Sequence, residues 1–214
     1  VRTRVHEYGG GAFTVADGRV WFVNFADQGL YTQLPGGVPE RLHEGGDVRF
    51  ADLIVDRSRD RVYCVVEDHR GEGEECNQLG AVDAKGHVRI LASGSDFYSN
   101  PALSPDGSKL AWLTWDHPRM PWDGTELWVA DILADGALST PERIAGGEAV
   151  SVFQPTWSPD SRLFYVADPD GWWSLYACEP GQEPSCVHGG EREFGRPQWV
   201  FGMQTFGFVG ADSC

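Results

Sequence analysis

Lysine is almost missing from this sequence. Of 17 basic side chains only Lys85 and Lys109 are lysines, and against 32 acidic residues they leave a formal charge of −15. A surface of that sign repels a phosphate backbone, and the arginines are scattered rather than blocked, so nucleic acid is excluded as a partner. Long apolar runs are missing too. No stretch approaches the roughly 20 apolar residues of a membrane helix, and Val1 to Tyr8 carries charge where a signal peptide needs an apolar core. A soluble chain is expected, with no membrane partner. Cysteine is sparse and odd in number: Cys64, Cys76, Cys178, Cys186 and Cys214 show neither metal-ligand spacing nor a disulfide framework. Cys178 and Cys186 could face each other across a hairpin, but free thiols in a reducing cytoplasm are the expectation, with no metal and no cofactor. Helical periodicity is the last absence, since apolar residues almost nowhere recur at helical spacing over a dozen positions.

What is present is punctuation and aromatic bulk. The 27 Gly and 13 Pro break the chain into short apolar runs of five to seven residues, and 9 Trp, 11 Phe and 6 Tyr supply a core. The reading is all-β. A repeat then decides the architecture. The leucines opening Leu30–Gln33, Leu79–Asp83, Leu127–Asp131 and Leu175–Glu179 are spaced by 49, 48 and 48 residues. A strand ending in an acid precedes each one: Val20–Asp27, Val62–Asp68, Leu110–Asp116 and Leu163–Asp168. Another follows, at Pro39–Leu42, His87–Leu91, Pro141–Ile144 and Ser185–Val187. A fourth opens each unit, at Ala12–Val15, Phe50–Val55, Ala102–Leu103 and Phe153–Trp157.

Ser104-Pro105-Asp106-Gly107 and Ser158-Pro159-Asp160-Ser161 read as hairpin turns, in which Pro presets one dihedral and Asp bonds the backbone ahead of it. Four antiparallel strands in just under fifty residues make one blade of a β-propeller. Blades are expected near 1–46, 47–95, 96–147 and 148–193. Part of a fifth is expected at 194–214, with strands at Gln198–Val200 and Thr205–Val209. The chain reads as an incomplete propeller, belonging with further blades, and its uncovered edge strands predict possible self-association.

Propeller geometry sorts the connections onto two faces. One carries Val5-His6-Glu7-Tyr8-Gly9-Gly10-Gly11, the run Glu67-Asp68-His69-Arg70, the insertion from Trp115 to Gly124, and Asp168-Pro169-Asp170. Loops with more than a connecting role are expected there. The acids closing the second strands read first as turn caps. Asp68-His69 and Asp116-His117 look like catalytic pairs, but adjacent residues diverge on a strand and no serine completes a triad. Gly9 to Gly11 lack the lysine and helix of a phosphate loop, so close backbone packing is the expectation. Trp115 and Trp122 are read equally as core or as the lining of a channel mouth. No Gly-x-Ser-x-Gly elbow occurs, so no catalytic residue is assigned.

Two segments, Val5 to Phe13 and Trp115 to Trp128, together with Glu67-Asp68-His69 and Asn77, resemble the amino-terminal propeller of prolyl oligopeptidase family serine peptidases. The likeness is greatest to the dipeptidyl aminopeptidase or acylaminoacyl-peptidase type, and it spans essentially the whole chain. One position departs, Arg119 standing where the pattern carries Asn. The resemblance implies a propeller that caps an α/β-hydrolase domain, absent from this sequence, and admits short peptides to it. The side chains it would lend to the substrate chamber are Glu7, Tyr8, Asp68, His69, Trp115, Asp116, His117, Arg119 and Trp122. Glu7 and Tyr8 could meet the free amino end of a peptide, unless Glu7 is occupied by a neighbour such as Arg4. The alternative is a TolB-like propeller serving as a protein-binding scaffold.

Overall fold

The structure is a computed structural model and describes residues 1–179 and 181–209. Cys214 lies outside them. Sixteen strands, with no helix among the described residues, form four separate four-stranded antiparallel sheets, each a meander in sequence order. These are propeller blades. The first holds β1 (Phe13–Ala16), β2 (Arg19–Val23), β3 (Leu30–Gln33) and β4 (Glu40–His43). The second holds β5 (Val48–Asp56), β6 (Arg61–Asp68), β7 (Cys76–Asp83) and β8 (Val88–Ala92). The third holds β9 (Phe97–Leu103), β10 (Lys109–Trp115), β11 (Glu126–Asp131) and β12 (Glu142–Gly146), and the fourth β13 (Val152–Trp157), β14 (Leu163–Ala167), β15 (Ser174–Cys178) and β16 (Ser185–His188).

The chain divides into two compact units. One comprises Val1–Pro101 with Trp199–Gly202, the other the described residues of Ala102–Gln198 with those from Met203 to Val209. In the first, Val23 and Leu30 pack with Phe50, Leu53, Val62, Cys64, Val66 and Val82, joining the two sheets through one apolar layer. Each such side chain contributes roughly 1.5–3 kcal/mol on burial, which is why the repeat keeps a buried leucine in every third strand, at Leu30, Leu79, Leu127 and Leu175. In the second unit, Leu127, Val152, Leu163 and Tyr165 share a comparable core.

The turns follow their chemistry. Gly107 N–H donates to the Ser104 carbonyl at 2.8 Å while the Ser104 hydroxyl donates to Asp106 at 2.6 Å. Ser161 N–H does the same to Ser158 at 2.9 Å, with the Ser158 hydroxyl on Asp160.

Three expectations change. β2 stops at Val23 rather than continuing to Asp27, because Asp27 turns the chain, accepting the Gly29 N–H and the Tyr31 hydroxyl. β9 starts five residues before Ala102, its apolar alternation broken at Asn100, which sits at φ 52°. The strands expected at Gln198–Val200 and Thr205–Val209 are not formed in the described residues. There the backbone makes single bonds instead of a ladder: Phe201 N–H to the Gly9 carbonyl, and Thr205 N–H to the Gln154 side chain. Phe206 and Phe208 nevertheless pack against the Phe153, Phe164 and Val166 layer.

Candidate functional site

The amino-terminal motif is anchored in the first unit. Thr3 and Val5 are fully buried, and the Gln28 side chain accepts the Arg4 N–H at 2.9 Å. The chain then takes two consecutive left-handed residues, His6 at φ 52° and Glu7 at φ 61°. Neither is glycine, so each costs roughly 1–2 kcal/mol. Tyr8 N–H bonds the His6 carbonyl at 2.7 Å, closing a three-residue turn around Glu7 in its strained hand. Gly9 N–H closes the wider loop onto Val5 at 3.0 Å.

What fixes this turn comes from far along the sequence. Glu67, only 2% exposed, accepts the His6 N–H on one carboxyl oxygen at 2.7 Å. Its other oxygen takes Arg49 at 3.2 Å and meets His69 Nε2 at 2.6 Å. The His6 ring lies against Phe97 and Phe201, at centroid distances of 5.1 and 4.7 Å. Burial pushes its imidazole down to about 4, against a smaller raising effect of the Asn77 side chain, so the ring is neutral at physiological pH.

Gly10 bridges to Phe201, and a side chain there would run into the Phe201 backbone. The three glycines therefore serve close backbone approach.

The result is an exposed pair on a rigid base. Glu7 is exposed, and among the described residues its carboxylate enters no ion pair or hydrogen bond. The Arg4 guanidinium lies instead over the Phe25 ring, 4.8 Å from its centroid. Tyr8, 64% exposed, meets Trp199, 56% exposed, edge to face at 6.5 Å. A carboxylate beside aromatic faces can bind a cation.

The other proposed residues differ. Asp68 is engaged by Arg70 through its backbone N–H and guanidinium, which hold its carboxyl below the usual range. His69 turns to Glu67. In the second unit, Trp115 is buried and Trp122 is half-buried. His117 is exposed, and Arg119 faces Asp116 at 3.7 Å.

Sequence reasoning passed over Glu67, Arg49 and Trp199 as site residues. Glu67 is the last but one residue of β6, a strand that is buried nearly throughout, so no alternation marks it. The described cysteines Cys64, Cys76, Cys178 and Cys186 are free thiols, so Cys178 and Cys186 are not bonded. Among the described residues no group of three or more His, Cys, Asp or Glu could hold a metal ion.

Neither a family model nor a curated protein matches the chain. Solved structures do. A crystal structure of puromycin hydrolase is 36% identical over 95% of this chain and 34% of that one, with a TM-score of 0.86. A mutant of puromycin hydrolase complexed with PGG matches at the same identity and coverage with a TM-score of 0.87. A puromycin-hydrolyzing peptidase of Mycobacterium tuberculosis is 35% identical over 94% of this chain and 34% of that one, with a TM-score of 0.83. This chain spans about a third of the length of those structures. TolB from Acinetobacter baumannii, 15% identical over 84% of this chain and 42% of that one with a TM-score of 0.57, shares the fold alone.

Proposed function

This chain belongs to the prolyl oligopeptidase family as a portion of its propeller, and from that premise we propose that it admits short peptides to a catalytic domain and reads their free amino end with Glu7. The observation that carries the reading is the Glu7 carboxylate: exposed, without an ion pair among the described residues, and presented on a strained turn whose cost the surrounding contacts offset. Strain maintained by its surroundings marks places where geometry serves a task. A peptide ammonium is the complementary group, and the Tyr8 and Trp199 rings give it an apolar wall. The complex of one neighbour with PGG supports peptides as the ligand class. Hydrolysis itself belongs to residues outside this sequence, which carries no nucleophile elbow. The four free thiols support a reducing compartment, the cytoplasm, as its location.

The test uses the complete enzyme. Glu7→Gln should raise KM for a dipeptide amide with a free amino end roughly ten- to a hundredfold, the equivalent of a charge-assisted hydrogen bond. The N-acetylated amide should change little. Equal losses on both, with a lower Tm, would show that Glu7 only holds its loop.

A further inference from the structure

We infer that Glu67 is a positioning residue for this site: its buried carboxyl group sets the turn from which Glu7 and Tyr8 face solvent. The inference rests on the amino-end reading for its consequence in catalysis, and on geometry alone for its structural part.

Three contacts converge on Glu67. The His6 N–H reaches one oxygen at 2.7 Å, across 61 residues of sequence. Arg49 from β5 and His69, the residue after β6, hold the other, at 3.2 and 2.6 Å. A carboxyl group held from both sides cannot swing, so the oxygen offered to His6 is fixed in place. That oxygen is the acceptor for the N–H of the first left-handed residue. Without it, a part-buried donor would lose its partner just where the backbone carries strain, and His6 and Glu7 would relax toward negative φ.

Such a relaxation moves Glu7, because the turn that presents it closes on the His6 carbonyl. Phe97 and Phe201 clamp the His6 ring but supply no acceptor for its N–H, so ring packing alone does not replace Glu67. The same logic explains why Asp68, next in sequence and bonded to Arg70, has no comparable reach: its contacts are local.

The complete enzyme carrying this chain is the material for the test. Glu67→Ala should speed backbone amide exchange at His6, Glu7 and Tyr8 at least tenfold while leaving β7 unchanged. It should raise KM for the free-amine dipeptide amide about as much as Glu7→Gln does, and the double variant should be no worse than either single one. Glu67→Gln, whose amide oxygen can still accept the His6 N–H, should recover part of both effects. Should Glu67→Ala not accumulate folded, Arg49→Met, which frees one side of the carboxyl group, carries the same two readouts.

Unchanged exchange at His6 to Tyr8 would overturn the inference. Losses that simply multiply in the double variant would also overturn it, because Glu67 would then act independently of Glu7. If Glu7→Gln leaves KM untouched, the amino-end reading falls by itself, and the exchange measurement still decides whether Glu67 sets the turn.

Discussion

The backbone N–H of Asn100 donates to the carboxyl group of Asp52 at 2.6 Å, across 48 residues of sequence. Both residues are left-handed, at φ 52° and 57°, in the opening strands of successive blades, and Gln154 in β13 repeats the feature at 52°. Gln154 also reaches the backbone of a later segment, accepting the Thr205 N–H at 2.6 Å. The repeat length of the sequence thus reappears as a hydrogen bond. Enclosure of the Asp52 carboxyl pushes it up to about 6, although the Asn100 N–H offsets part of the shift.

A first prediction follows from the sign of that shift. The folded chain binds the Asp52 proton more tightly than the unfolded chain, whose value is 3.8. Stability contributed by this group is therefore present below pH 4, declines as pH rises to about 6, and is level above. Asp52→Asn keeps an oxygen for the Asn100 N–H and removes the charge. It should stabilise the protein by about 1–3 kcal/mol at pH 7 and by nothing at pH 4. Thermal melts at the two pH values check this, and an equal gain at both would refute it.

Asp106 should behave with the opposite sign. The Ser104 hydroxyl, followed by the Ser108 backbone and hydroxyl, draws its carboxyl down to about 2. Its contribution is present above pH 4 and is lost as pH falls toward 2. Because the group is exposed, the effect is small: Asp106→Ala should cost about 0.5–1 kcal/mol at pH 7. Urea denaturation should show the gap between variant and parent closing as pH drops below 4. A gap independent of pH would assign the loss to the turn backbone and not to the carboxylate.

Two glycines at positive φ separate conformational strain from steric conflict. Gly18 has open space where a side chain would stand, so Gly18→Ala bears only the strain, about 1 kcal/mol. Gly10 faces the backbone of Phe201, so Gly10→Ala must also break the bridge to that segment and should cost at least about 2 kcal/mol more. Denaturation midpoints of the two variants give the comparison. Equal losses would mean that residues 199–201 can withdraw without penalty.

The strands, their order within each blade and the Ser-Pro-Asp turns were legible because each depends on residues close in sequence. Apolar runs, a 48-residue period and turn residues act locally, and the structure has a strand at each of the sixteen expected places in the four blades, with the largest shifts at the ends of β2, β7 and β9. The motif Val5 to Gly11 also stood out in the sequence, and its glycines pack against backbone as their lack of a lysine and a helix implied.

What only the tertiary structure decided is how that motif is used. Glu67 serves His6 from 61 positions away, Trp199 meets Tyr8 across 191 positions, and Arg4 takes the ring of Phe25 rather than the Glu7 carboxylate. β2 ended early and the strands after Gln198 did not form for a related reason. A side chain or a segment with two possible partners takes the one that folding brings near, and that choice has no signature in neighbouring residues. Local chemistry fixed the blades, while long-range hydrogen bonds to a few buried polar groups fixed the site.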